Sequence, residues 1–308
     1  MQNEVFIKSH GHGNIGNSIM KLSYFTEGLN WDAEYHLVIN DDDKATLKGD
    51  YQMVNNTDKS FLSTEIFLVA SENKTIQKHS SRRMMKTISV EASNFEVNTP
   101  EAVNLEDMEI YKIPHKMSLE KESHLSAPLF SKQQIVIEKF YSANHSPTFY
   151  SKGGRNNDSK NLNPTNLYLK LKTADKLKMH IPKGRLNIYE NKDGLDMLIA
   201  EKQIPKTSKG NDIQLFLKAS QDILHKFTSI DINENSKGNF VTIEAEFKNL
   251  KNKQTQVDWN EQFSRKIEII SSSVDFNIES AFKVSAVIEL EPNEERKETI
   301  TLFTPKKG

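Results

Sequence analysis

"WDAEYHLVINDDDKATLKGDYQMV", Trp31 to Val54, decides the fold class. Trp31, Ala33, Tyr35, Leu37 and Ile39 share one face of an extended chain, and Asp32, Glu34 and His36 take the other. After the polar turn "NDDDK" the alternation resumes as Leu47, Gly49, Tyr51 and Met53. Successive side chains of a strand point to opposite faces, so a period of two marks half-buried strands. An Asp-rich turn between two such runs predicts a hairpin of Trp31–Ile39 with Thr46–Val54.

The same period continues in both directions. Upstream, "SIMKLSYF" puts Met20, Leu22 and Tyr24 on one face. Downstream, "TEIFLVA", "QQIVIEKFY" and "TNLYLKLKT" are β-branched and aromatic, and the last places Leu167, Leu169 and Leu171 together. "RLNIYENKDGLDMLIA" holds Asp193-Gly194 between two alternating runs, a strong hairpin signal. "DIQLFLK", "FVTIEAEFKN", "RKIEII", "FKVSAVIEL" and "ETITLFT" complete the series. Only "SQDILHKF", Ser220 to Phe227, has a helical reading, of a turn or two.

Many short strands separated by turns predict an all-β fold: two antiparallel β-sandwich-like domains, with a long flexible insertion in the first. The length of 308 residues exceeds what one core usually covers. The Gly/Asn/Ser-rich run at residues 151–166 places the boundary, giving an N-terminal β-domain at 1–155 and a C-terminal one at 156–308. Residues 71–107 are polar and mixed in charge. They form the insertion, with one short strand near "KTISVEA".

Composition excludes several function classes. Lys and Arg number 41 against 42 Asp and Glu, so no global basic field attracts nucleic acid, and no nucleic-acid partner is expected. The absence of cysteine removes disulfides, thiolate catalysis and Cys-type zinc sites. No apolar run approaches the roughly 20 residues that span a bilayer. "MQNEVFIKSH" lacks the basic and apolar regions of an export signal, so the chain is either not exported by that route or is missing its leader.

Motifs that suggest chemistry read more simply as structure. Gly11-His12-Gly13-Asn14-Ile15-Gly16 matches G-x-G-x-x-G, but an alternating run follows it where a nucleotide fold needs a helix. It reads as a turn, and no cofactor is expected. His10 and His12 are the one candidate metal fork. They would share a strand face, yet the remaining histidines are scattered. "NDDDK" lacks calcium-loop spacing. "KHSSRRMMK" lacks interleaved aromatics and reads as a solvated basic loop. Tyr24, Phe25, Trp31, Tyr35 and Tyr51 could floor a sugar site, but their phase fits a buried face better. No nucleophile elbow, Walker loop or S-x-x-K set is present. A carboxylate pair of the glycosidase kind depends on a separation in space that sequence does not reveal.

The order of these motifs resembles the mucoidy-inhibitor-A-like family, a domain of unknown function numbered 4139. The likeness begins at Ser23, Tyr24, Thr26, Gly28, Trp31, Ala33 and Tyr35. It runs on through Asn55, Asn56 and Phe61 to Leu68-Val69-Ala70. After a variable polar insertion it returns at "MEIYKIPHKMSLEKESHLSAPLF", and then at Pro182, Gly184 and Tyr189. It covers nearly the whole chain. Asp32 stands where the family usually has Arg, and Ser71-Glu72 where it has Gly-Asp.

The resemblance implies structural roles for Tyr24, Gly28, Trp31, Ala33, Tyr35, Pro182, Gly184 and Tyr189. It brings no catalytic residues. Relatives often carry export signals, which implies the cell envelope or periplasm if a leader is missing here, and the cytoplasm otherwise. The expectation is therefore a non-catalytic, envelope-associated binding or scaffolding protein with a protein or glycan partner. The alternative is a carbohydrate-binding or carbohydrate-active protein using exposed aromatics and a carboxylate pair.

Overall fold

Trp31 to Val54 forms the hairpin that its alternation predicts. In the computed structural model, which describes residue 23 and residues 25–70, 86–89, 102–105, 108–146 and 161–305, β1 (Leu29–Ile39) pairs antiparallel with β2 (Lys44–Asn55). Tyr35, Leu37, Leu47 and Tyr51 are fully buried, whereas Asp32 and Lys48 face outward. The run Met20–Tyr24, the G-x-G-x-x-G stretch, His10 and His12 lie outside the described residues.

Seventeen further strands are described. They are β3 (Phe61–Thr64), β4 (Phe67–Ala70), β5 (Lys86–Ser89), β6 (Ala102–Leu105), β7 (Met108–Lys112), β8 (Met117–Leu119), β9 (Ser123–His145) and β10 (Asn163–Leu171), followed by β11 (Gly184–Lys192) and β12 (Leu195–Ile204). Then come β13 (Ile213–Glu234), β14 (Gly238–Asn249), β15 (Thr255–Gln262), β16 (Glu268–Ser272), β17 (Asn277–Ser280), β18 (Lys283–Leu290) and β19 (Glu295–Pro305). The fold is all-β, and no described residue is helical.

Fourteen strands make one sheet, along the path β12-β11-β1-β2-β9-β10-β13-β14-β19-β16, with β15, β18, β17 and β5 attached. The expectation of purely antiparallel sheets needs correction, because the large sheet is mixed. β11 runs parallel to β1, and β15 and β5 run parallel to β9. Between β10 and β11 the chain crosses over and returns beside β1 in β1's own direction. Two small sheets, β4-β7-β6 and β3-β8, pack beside it.

Strand length organises the interior. β9 spans 23 residues and β13 spans 22, each long enough to serve two hydrophobic cores in succession. β9 gives Leu125 to Ile137 to the first core and Tyr141 and Ala143 to the second. β13 gives Ile213 and Leu215 to the first, and Ile223 and Phe227 to the second. Around the first core the sheet curls from β12 to β13. The Lys202 ammonium of β12 donates to the Leu217 carbonyl of β13 at 2.7 Å across the seam. The cores do not divide at 155/156. Leu186, Ile188 and Ile204, from the C-terminal half, pack with Tyr35 and Leu47. With no disulfide, this burial dominates stability, at about 1.5–3 kcal/mol for each large apolar side chain fully removed from water.

Two local readings change. "SQDILHKF" is part of β13, not a helix. Between Thr165↔Ser220 and Pro164↔Leu224 the register slips, and the amides of Asp222 and Ile223 turn inward to the Ser220 hydroxyl. That bulge is the local structure its polar residues encode. Phe25 is exposed and not in the core. The Asp193-Gly194 turn forms as expected, both residues at positive φ (52° and 81°), the pairing that a two-residue hairpin of this hand requires.

Candidate functional site

The outer face of the shared strands carries a groove of about 460 Å³. Its aromatic floor is Phe140 and Tyr168, placed by register, with Phe216 beside them outside the lining. Phe140 of β9 lies opposite Tyr168 of β10, which lies opposite Phe216 of β13. Phe140 and Tyr168 stack with ring centres 5.4 Å apart, and Phe216 meets Tyr168 edge-on at 5.7 Å. Cross-strand aromatic rows of this kind stabilise a sheet. On a face that water reaches, they also present π-surface to a ligand.

Polar rows flank the aromatic one. On one side Glu138, Lys170 and Gln214 sit in register across the same three strands. On the other side Ser142 of β9 lies beside Asp258 of β15, and Asn144 beside Asn260. The Asn260 amide donates to the Ser142 hydroxyl at 3.1 Å, and that hydroxyl donates to the Asn144 amide oxygen at 3.2 Å. Glu279 and Lys283 complete the wall, joined at 2.6 Å.

Charge in the groove is uneven. Burial raises the Asp258 carboxyl above the ordinary aspartate range, and Glu279 adds to the rise while Lys283 opposes it. The hydrogen bond from Lys283 holds Glu279 below its ordinary value, with help from Ser285. Glu138 is bound by Lys172 at 3.1 Å. Two of the three carboxylates are thus neutralised in place, and Asp258 is the one without an ion pair among the described residues.

The residues of the sequence signature gather elsewhere, at the seam of β1 and β11. The Tyr35 hydroxyl donates to the Pro182 carbonyl at 2.6 Å. Gly184 lies against Ala33, its register partner. A Cβ on Gly184 would fall 2.8 Å from the Ala33 carbonyl carbon and 2.7 Å from Tyr35 Cε2. Tyr189 stacks on His36 at 6.1 Å, on the outer side. Trp31 is half-buried, packs edge-on to Tyr51 and Tyr111, and donates its indole N–H to the Val69 carbonyl at 3.2 Å. Gly28 takes φ 93° at the entry to β1, where its carbonyl accepts from the Asn56 amide at 2.7 Å. Tyr24 lies outside the described residues.

Beneath this seam Tyr35, Tyr51 and Tyr111 are buried. Burial, and for Tyr111 also its hydrogen bond to Glu109, pushes their hydroxyls far above the usual tyrosine range, so they remain neutral. The Glu109 carboxylate accepts from Tyr111, two residues along β7, at 2.7 Å and lies 3.4 Å from Lys206 in the segment after β12.

The second core holds a buried polar pair. Glu261 is fully buried and accepts from the Trp259 indole at 2.7 Å. It meets His145 Nδ1 at 2.9 Å. His145 stacks on Phe227 at 4.6 Å. Desolvation, and then the neighbouring His145, lowers His225 to about 4. Among the described residues, no three His, Asp or Glu side chains gather to hold a metal ion. No described helix is long and apolar enough to cross a membrane.

Sequence reading missed the groove. Its signal was present: in "TNLYLKLKT" the leucines take one face and leave Tyr168 and Lys170 on the other. In "IVIEKFY", Phe140 falls out of phase with Ile135 and Ile137.

Fold and site together define an all-β protein with an aromatic-floored polar groove where two cores share their longest strands. No protein-family model matches the chain, and no curated protein shows significant similarity to it.

Proposed function

We propose that the protein is a non-catalytic binding protein and that the groove on β9, β10, β13 and β15 takes a carbohydrate. The stacked pair Phe140–Tyr168, walled by amides, a hydroxyl and carboxylates, carries the reading. A sugar ring offers an apolar C–H face to aromatic rings and a rim of hydroxyls to Asn144, Ser142, Asp258 and Asn260. The mixture of apolar floor and few convergent polar groups is the usual make-up of small-ligand sites. Binding without hydrolysis is favoured because glycoside cleavage uses two carboxylates, and Glu138 and Glu279 are each held by a lysine.

Kinship with the mucoidy-inhibitor-A-like family, and the envelope setting it implies, belong to the same proposal, since envelopes are rich in glycans. The test is a glycan array followed by calorimetry. Wild-type protein is expected to retain a defined class of glycans, and Tyr168→Ala to lose at least about tenfold in affinity while keeping its circular dichroism, as expected for removing one stacked ring. An array without binders refutes the proposal.

A second reading has its own observation. β12 is an edge strand, and Leu195, Met197, Leu198 and Ile199 on it are all exposed. An extended protein segment could add to that edge. Cross-linking that recovers a partner through β12, lost in Leu198→Lys, would favour scaffolding over glycan binding.

A further inference from the structure

We propose that the sugar held in this groove carries a free, protonated amine, and that Asp258 is the residue that selects it. The inference rests on the carbohydrate reading of the groove and names the class of sugar.

β15 fixes Asp258 on the groove wall. Val257, Trp259 and Glu261 are buried, so Asp258 and Asn260 face outward. The strand is paired on both sides, and Asp258 stands between its register partners, Ser142 of β9 and Val287 of β18. From Phe140 it lies one strand across and two residues along, roughly 5 Å by 7 Å. A substituent of a sugar ring resting on Phe140 and Tyr168 spans that offset.

The donors around this carboxylate are committed elsewhere. The Ser142 hydroxyl donates to the Asn144 amide oxygen at 3.2 Å. The Asn260 amide donates to the Ser142 hydroxyl at 3.1 Å and to the Asp258 backbone carbonyl at 3.3 Å. The Gln256 amide, two residues back on the same face, donates to Glu289 at 3.1 Å. Lys283 donates to Glu279 at 2.6 Å. Val287 has nothing to give. Among the described residues, no hydrogen bond or ion pair reaches the Asp258 carboxylate.

Charge leaves the same remainder. Lys170 and Lys172 each lie 3.7 Å from Asp212, and Lys172 also meets Glu138 at 3.1 Å, so two lysines balance two carboxylates. Lys283 balances Glu279. Asp258 is the carboxylate left over in the lining. Glu279 acts on it more strongly than Lys283 does, so that pair turns its negative side toward Asp258. A half-buried carboxylate that has lost water and gained no partner is costly, and an ammonium supplies both the opposite charge and the N–H donors. A hydroxyl supplies a donor without the charge, and an acetamide supplies the donor with added bulk.

Calorimetry with three tetrasaccharides that differ only at the second carbon of each glucose unit is the test. They are the chitosan tetramer with its amine, the chitin tetramer with its acetamide, and cellotetraose with its hydroxyl. The pH is one at which the sugar amine is protonated and Asp258 ionised. The chitosan tetramer should bind at least about tenfold more tightly than either neutral probe, the worth of one charge-assisted hydrogen bond. Asp258→Asn should erase that preference, and Tyr168→Ala should weaken binding of the chitosan tetramer.

If a neutral probe binds as well as the amine in a Tyr168-dependent way, the inference falls and the groove's function stands. It falls equally if Asp258→Asn keeps the preference, or if a chelator abolishes binding, which would show that the carboxylate holds a divalent cation. If none of the three probes binds while a glycan array retains other sugars, this inference alone is lost. A blank array removes the carbohydrate reading and this inference with it.

Discussion

Replacing Gly184 by Ala should unfold the first core at markedly lower denaturant. The new methyl has no space, because it would fall 2.7 Å from Tyr35 Cε2 and 2.8 Å from the Ala33 carbonyl carbon. Neither neighbour can yield cheaply. Ala33 is backbone in the middle of the sheet, and the buried Tyr35 ring is tied by its hydroxyl to Pro182. The parallel ladder of β1 with β11, seven residue pairs from Ala33↔Gly184 to Ile39↔Glu190, must open at its first rung. Overpacking of this kind costs about 1–3 kcal/mol, and loss of the Tyr35–Pro182 hydrogen bond adds about 1 kcal/mol. A total of about 3 kcal/mol is expected. Urea unfolding followed by circular dichroism measures it. Gly210→Ala is the control, because nothing lies within 4 Å of a Cβ there and only its positive φ of 83° opposes the change. If Gly184→Ala costs less than about 1 kcal/mol, or no more than the control, the claim that β1 and β11 meet through this glycine is wrong.

Further outcomes follow from the other buried groups. Glu261→Ala strands the Trp259 indole and His145 without their acceptor and should cost about 3–5 kcal/mol in the same assay; Glu261→Gln, which keeps a carbonyl acceptor, should cost less. His225 is held near 4 in the fold against 6.5 when unfolded. Below 6.5 the unfolded chain therefore takes up a proton that the folded chain refuses. Stability should fall as pH drops from about 6.5 to 4, by on the order of 3 kcal/mol, and His225→Asn should flatten that slope in pH-dependent melts. Asp258 is raised, so its carboxylate costs stability at neutral pH. Asp258→Asn should raise Tm there, and the gain should vanish below the ordinary aspartate range.

How much of this was legible beforehand depends on how local the cause is. The β1–β2 hairpin was legible because its alternation and its Asp-rich turn lie within one stretch. The Asp193-Gly194 hairpin was legible for the same reason, since a two-residue turn with φ above zero is a property of those two residues. The partnership of β1 with β11 was not. It joins Ala33 to Gly184 across about 150 residues, and the sequence signature named both without indicating that they touch. Phe140, Tyr168 and Phe216 were readable singly as rings out of phase with their strands. Their meeting in one row depends on two registers, β9 with β10 and β10 with β13.

Sequence by itself determined that this chain is built of strands, which face of most strands is buried, and where the tight turns fall. Side-chain alternation is a local consequence of backbone geometry and needs no partner to be read. Only the tertiary structure decided that the sheet is mixed, that β9 and β13 serve two cores, and that the boundary at 155/156 does not separate them. It also decided that Phe140 and Tyr168 meet on the outer face and line a groove. Those outcomes depend on which apolar faces find each other, a choice made by burial over the whole chain and written in no single segment.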